Sequence, residues 1–220
     1  ATVRRDLKDM KTLGLIQRVC GGALIVEKDS ADKKHADPQL SHKQRIARKA
    51  IDYVTPGSTI FIDSGSTNNE IARLIVNFSD ISVITNSINV AYMLCNSTNR
   101  ISVFVCGGNI GDGSSPASIV GPSAEMMISQ VRANIFFMGS SGIHPKHGVT
   151  DPFLLAASIK TKMIENSSRI ILVTDYTKFG KINKAFVCPI EKIDHIITNT
   201  EAPVDDIQYL RQQGISIDLV

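Results

Sequence analysis

From residue 59 onward, short apolar runs alternate with amphipathic stretches. The runs at 59–63 (TIFID), 82–85 (SVIT), 101–106 (ISVFVC), 134–138 (NIFFM), 169–174 (RIILVT), 194–198 (DHIIT) and 215–219 (ISIDL) read as strands. They are rich in β-branched residues and mostly bounded by turn formers. Between most of them apolar positions recur every three or four residues, which predicts helices over 67–77, 87–96, 119–131, 154–166 and 203–213. Near-continuous apolar strands alternating with helices imply an α/β fold with a mostly parallel, doubly wound sheet covered on both faces.

Ahead of this body the pattern changes. Val3, Leu7, Met10 and Leu13 form one stripe that predicts a helix, with Gly14 as its stop and Arg4, Arg5, Lys8 and Lys11 opposite. In LIQRVCGGALIV two apolar runs flank Gly21-Gly22, the pattern of a small β-hairpin. Residues 27–38 are polar and charged, as in a linker. Ser41 then opens a helix, with Gln44 completing a capping box, Ile46, Ala50, Ile51 and Val54 inside it and Pro56-Gly57 ending it. The expected organisation is a small segment at 1–26, a linker at 27–40 and a main domain at 41–220.

Charge sharpens that division. The 220 residues carry +3 overall, but the first 50 hold 12 Lys and Arg against 6 Asp and Glu, and the remainder 12 against 15. A basic front end either meets a polyanion or is a solvated face, and charge alone leaves both open. With 43% hydrophobic and 20% charged residues the chain is neither disordered nor membrane-embedded in character. Cys20, Cys95, Cys106 and Cys188 show no paired or metal-ligand spacing, so reduced thiols in a cytoplasm fit best and no metal or cofactor is implied. The chain opens on charged residues, without the pattern of a secretory signal.

In a parallel sheet the loops after the strands share one edge, where ligands bind. Here they read Asp63-Ser64-Gly65-Ser66-Thr67, Thr85-Asn86-Ser87, Gly107-Gly108-Asn109, Gly139-Ser140-Ser141-Gly142 and Asp175 to Lys181. The first offers free backbone N–H groups, a positive helix dipole and hydroxyl donors, which suit a phosphate. Any one such loop is equally a helix cap or turn; five on one edge point to a polar ligand. Lys178 and Lys181 supply positive charge beside them, or are ordinary surface lysines. Asp63, Asp151, Asp175 and Lys160 offer an acid/base set, but no histidine accompanies them in these loops. His144 and His147 stand three apart in a polar loop without a third ligand. Neither a nucleophile elbow nor a P-loop is present. Binding is favoured over catalysis.

The opening string ATVRRDLKDMKTLGLIQRVCGGA resembles the recognition helix and wing of the DeoR family of bacterial transcriptional regulators. The body agrees in order and spacing: IFIDSGST, VITNS, the GG at 107 and 108, IVGPSAE, FFMGSSGI, GVTD and VTDYTKFG. The resemblance implies a winged helix-turn-helix, here partial, whose first helices would precede Ala1, and an effector domain similar to ribose-5-phosphate isomerase and CoA transferases. It implies a repressor of a carbohydrate-utilisation operon: an oligomer, dimer or tetramer, binding a double-stranded DNA operator and controlled by a phosphorylated sugar. Thr2, Arg4 and Arg5 would face DNA, with Lys8, Lys11 and Arg18 against its backbone and Gly21 and Gly22 in the wing turn. Ser64, Gly65, Ser66 and Thr67, beside Asp63, would form the phosphate loop, with Asn86, Ser87, Gly107 and Gly108 around it. Lys160 and Lys178 also match family positions. Family members often carry acidic residues where Ser141, Leu155 and Ala156 stand here. That departure weakens the alternative reading, a sugar-phosphate isomerase of the same fold.

Overall fold

The computed structural model describes residue 7, the backbone of residues 16–19 and 22–25, and residues 37–111 and 118–220. The chain divides into two compact units, Ala1–Leu40 and Ser41–Val220. In the first, β1 (Ile16–Val19) pairs antiparallel with β2 (Gly22–Ile25), and Val19 faces Gly22. Gly22 therefore closes the hairpin turn as the first residue of β2, and Arg18 lies on β1. Thr2, Arg4, Arg5, Lys8, Lys11 and Gly21 lie outside the described residues, as does most of the linker.

Helix α1 (Leu40–Ala50), which from Ser41 onward belongs to the second unit, is continued by a 3-10 turn at Ile51–Tyr53. Asp37 organises its start: Oδ1 accepts from the Gln39 amide at 2.9 Å and the carbonyl from the Leu40 amide at 3.0 Å. Ser41 is already inside the helix, and Gln44 donates to Glu70 at 3.3 Å, so the expected capping box is not formed. Beyond it follow β3 (Thr59–Ile62), α2 (Ser66–Ile75), β4 (Ile81–Thr85), α3 (Ile88–Cys95) and β5 (Ile101–Val105). Two short strands, β6 (Asn109–Ile110) and β7 (Ile119–Val120), pair antiparallel and precede α4 (Pro122–Ser129) and β8 (Ile135–Met138). The chain continues through β9 (Gly142–His144), β10 (Gly148–Asp151), α5 (Leu154–Glu165), β11 (Ile170–Val173), β12 (Ala185–Cys188), β13 (His195–Thr198), α6 (Val204–Gln212) and β14 (Ser216–Leu219).

Seven strands form one sheet in the order β14-β13-β11-β8-β3-β4-β5, and every neighbouring pair is parallel. Alternate side chains divide between two apolar layers, as the pleat requires. Ile60, Ile62, Val83, Phe137, Ile171 and Val173 pack on one face with Ile46 of α1, Ile71 and Ile75 of α2 and Leu94 of α3. Phe61, Phe136, Met138, Leu172 and Ile196 pack on the other with Ile128 of α4, Met163 of α5 and Leu210 of α6. Phe61 and Phe136 meet edge to face with centroids 6.3 Å apart, an arrangement contributing about 0.5–1.5 kcal/mol beyond area burial.

The strand order also locates the site. From β3 the chain moves outward through β4 to β5, then returns to the other side of β3 at β8 and winds away through β11, β13 and β14. The winding reverses between β3 and β8, and the crevice at such a reversal is where open α/β sheets take ligands. A three-stranded antiparallel sheet in the order β12-β10-β9 lies beside α5 and carries Asp151 at its end. The apolar pattern along the chain does not predict this second sheet.

Candidate functional site

At the reversal the loops after β3, β8 and β11 enclose a cavity of about 240 Å³. Its lining includes Ser64, Gly65, Ser66, Thr67 and Asn68 after β3, Gly139 to Ser141 after β8, and Thr174, Asp175 and Lys178 after β11. Ser118, Asp151, Phe153, Ala156 and Lys160 complete much of the wall. Gly65 holds φ +134° at the start of α2, a conformation that side-chain-bearing residues rarely adopt. Asn69 is the first residue of α2 whose amide bonds back along the chain, to the Gly65 carbonyl at 2.9 Å. The amides of Ser66, Thr67 and Asn68 consequently lack intrahelical acceptors, and the N-cap residue, Gly65, has no side chain to cap them. These residues form the positive end of the helix and line the cavity, an arrangement suited to an anion.

Below the turn lies a buried ionic cluster. Lys160, on α5, donates to Asp63 Oδ2 and stands 3.8 Å from Asp151 Oδ2. Asp63 also accepts from the Ser64 amide at 2.7 Å and the Gly139 amide at 3.2 Å, tying the β3 loop to the β8 loop. Burial pushes the Asp63 carboxyl above its usual range, against the pull of the Lys160 ammonium. Burial also acts to lower Lys160, but the facing carboxylates Asp63 and Asp151 overcome it and hold the ammonium above the ordinary lysine value. Lys160 is thus a fixed cation in the wall, while half-buried Lys178 borders the cavity from the β11 side.

The remaining sequence-predicted residues stand behind or beside the cavity. Asn86 is buried; its Oδ1 accepts from the Ser64 amide at 3.1 Å and its Nδ2 donates to Ser118 Oγ at 3.2 Å, bracing the turn from outside. Ser87 caps α3 by accepting from the Val90 amide at 3.3 Å. Gly107 and Gly108 are exposed and do not line the cavity. At Gly108 a Cβ would come within 2.6 Å of the Val120 carbonyl oxygen, so this glycine admits β7 close to the β5 loop. Ser118, Asn68, Asp151 and Asp175 were absent from the predicted binding set. Asp151 and Asp175 are visible in the sequence as carboxylates, but Asp151 on β10 and Asp175 after β11 come to one cavity only in the folded chain.

Chemically, the cavity offers donors at one end and the carboxylates of Asp151 and Asp175 on its walls, which accept from hydroxyls. Among the described residues no three His, Cys, Asp or Glu side chains are grouped to hold a metal ion. No described helix is long and apolar enough to cross a membrane.

Comparison with known proteins places this geometry. Residues 38–200 match the DeoR C terminal sensor domain, and residues 1–29 the DeoR-like helix-turn-helix domain. The glycerol-3-phosphate regulon repressor of Escherichia coli K12 is 32% identical over 99% of this chain and 86% of its own length. The HTH-type transcriptional repressor CsqR of the same strain is 30% identical over 99% of this chain and 83% of its own. Among solved structures, ribose 5-phosphate isomerase A of Methanocaldococcus jannaschii is similar at a TM-score of 0.47 and 13% identity. That match covers 64% of this chain and 55% of the isomerase, so the chain spans about half the isomerase's length. The chain belongs to the DeoR family of transcriptional regulators, with a C-terminal sensor domain and a DeoR-like helix-turn-helix segment.

Proposed function

We propose that this chain is a repressor of a carbohydrate-utilisation operon, whose sensor cavity binds a phosphorylated sugar and thereby changes the affinity of the oligomer for double-stranded operator DNA. The observation that carries this reading is the start of α2 at Ser66, Thr67 and Asn68, which lines the cavity and whose amides have no intrahelical acceptor. A phosphate seated there completes hydrogen bonds that the helix leaves unmade. Asp151 and Asp175 then accept from the sugar hydroxyls, which gives the phosphate end and the polyol end different partners. The names of the relatives support the regulatory role: one represses a glycerol-3-phosphate regulon and another is a transcriptional repressor.

The cavity works as a sensor and not as an isomerase site. Ser141 and Ala156 on its wall carry no carboxylate, and Lys160, held protonated by two carboxylates, is not a free base. The protein acts in the cytoplasm as a dimer or tetramer and needs no metal or cofactor for this role. Fluorescence anisotropy on operator DNA tests the reading. Saturating sugar phosphate should change operator affinity by about 5-fold to 150-fold, the span of typical allosteric couplings. Unchanged affinity across pentose, hexose and triose phosphates overturns the regulatory reading, and turnover of any of them overturns the sensor-only reading.

A further inference from the structure

We infer that Asn199 couples the sensor cavity to helix α1, acting as a positioning residue between the β11 loop and the helix that follows the linker sequence; this rests on the ligand site described above. The β11 loop contributes Asp175 and Lys178 to the cavity wall, and Tyr176 lies between them. The Tyr176 amide donates to Asn199 Oδ1 at 3.4 Å. On its other side Asn199 Nδ2 donates to the backbone carbonyl of His42, on α1, at 3.2 Å. Asn199 is fully buried, so water does not replace either partner without a structural opening.

Three further contacts concentrate at the same junction. The rings of Tyr176 and His42 pack at 5.2 Å between centroids. His42 Nε2 and Arg45 Nη2, one turn apart on α1, both reach Glu201 Oε1, at 3.2 and 3.1 Å. Glu201 lies two residues beyond Asn199, so one short segment holds both the cavity loop and α1.

The amide is an oriented device. Its oxygen serves the loop and its nitrogen serves the helix, and reversal sets donor against donor and acceptor against acceptor. The loop-side bond already lies near the outer limit of hydrogen-bond length, so a small displacement of the loop makes or breaks it. Asp175 provides the displacement. Its carboxylate borders the cavity and also accepts from the Thr177 amide at 3.0 Å, so a ligand hydroxyl that engages it competes with the turn that positions the Tyr176 amide. Loop movement then passes to His42 through one buried side chain, and α1 responds.

Hydrogen–deuterium exchange on the full-length regulator, with and without sugar phosphate, tests this. The probes are glycerol 3-phosphate, ribose 5-phosphate and fructose 6-phosphate, with thermal shift as an independent record of binding. In the wild type, a probe that binds should change exchange at 175–180 and at 41–50 by about 5-fold or more, within the range of allosteric couplings. In Asn199→Ala the change at 175–180 persists and that at 41–50 is lost, with the thermal shift retained. If Asn199→Ala does not fold, Tyr176→Leu, which removes the ring contact with His42, should reduce the response at 41–50 and leave probe binding intact. A full response at 41–50 in the folded variants, or none in the wild type with bound probe, overturns the coupling and leaves the ligand site standing. Failure of every probe to bind overturns the ligand site and the coupling with it.

Discussion

Replacing Lys160 with methionine removes one ammonium and keeps an unbranched side chain of comparable length in the same space. The lysine is buried together with its partners: side-chain exposure is 6% for Lys160, 2% for Asp63 and 7% for Asp151. Asp63 keeps the Ser64 and Gly139 amides and Asp151 keeps the Phe153 amide at 3.0 Å, but neither carboxylate keeps a cation. Breaking a buried pair by removing one partner costs about 3–5 kcal/mol, because a charge is left uncompensated. For a unit of this size that is a fall in Tm of about 6–20 °C, at roughly 2–4 °C per kcal/mol. The pH dependence fixes the cause. In the wild type Lys160 is raised, so its contribution is complete below the ordinary lysine value of about 10.4 and is lost only as pH climbs through the folded value. In the variant Asp63 loses the ammonium that opposes the upward push of burial, so stability is highest in acid and falls as pH rises from the ordinary carboxylate range to the folded value of Asp63. Urea denaturation followed by circular dichroism at about pH 5 and about pH 7.5 reads both effects. The deficit should be large at the higher pH and shrink at the lower. A variant within about 1 kcal/mol of wild type, with the same pH slope, refutes the buried cluster as a cationic anchor.

Ser66→Asp places a carboxylate at the uncapped amides of α2, so it should occupy the phosphate seat and abolish effector response while operator binding remains; anisotropy with and without sugar phosphate checks this. Gly108→Ala drives a methyl group to 2.6 Å from the Val120 carbonyl oxygen at a φ of +152°, and should cost about 1–3 kcal/mol in thermal unfolding. Glu201, held down to about 2 by its own backbone amide and then by Arg45, His42 and Thr200, adds stability above the ordinary glutamate range that is lost as pH falls through about 2. Glu201→Gln should therefore flatten the acid-unfolding profile between those limits, and an unchanged profile removes the junction ion pair from the account.

Much of the fold is legible in the hydrophobic pattern because the parallel strands are buried on both faces. The IFFM of β8 and the IILV of β11 are fully buried and read as strands without tertiary information. The second sheet is not legible, because β9 and β10 are short segments that each open on a glycine, and β10, the middle strand, pairs with β12 more than thirty residues downstream. The site is legible in its residue types and not in its membership. Ser64 to Thr67, Asn86 and Gly107 occupy similar loops in the sequence, yet Ser64 to Thr67 line the cavity while Asn86 and Gly107 do not. Strand order decides that, and no local pattern encodes it. The helix cap fails for a local reason: Asp37 supplies the turn that Ser41 and Gln44 were expected to build, leaving Gln44 free to reach Glu70.

The central claim is that the amides of Ser66, Thr67 and Asn68 receive a phosphate. Thermal unfolding of the full-length protein with matched pairs of sugars and sugar phosphates tests it most directly. A ligand at about 100 times its Kd should stabilise by about 2.7 kcal/mol, which is about 5–11 °C here. At least one phosphorylated sugar should produce that shift, its unphosphorylated partner none, and Ser66→Asp should erase it. Equal shifts from a sugar and its phosphate, or a shift that survives Ser66→Asp, contradict the claim.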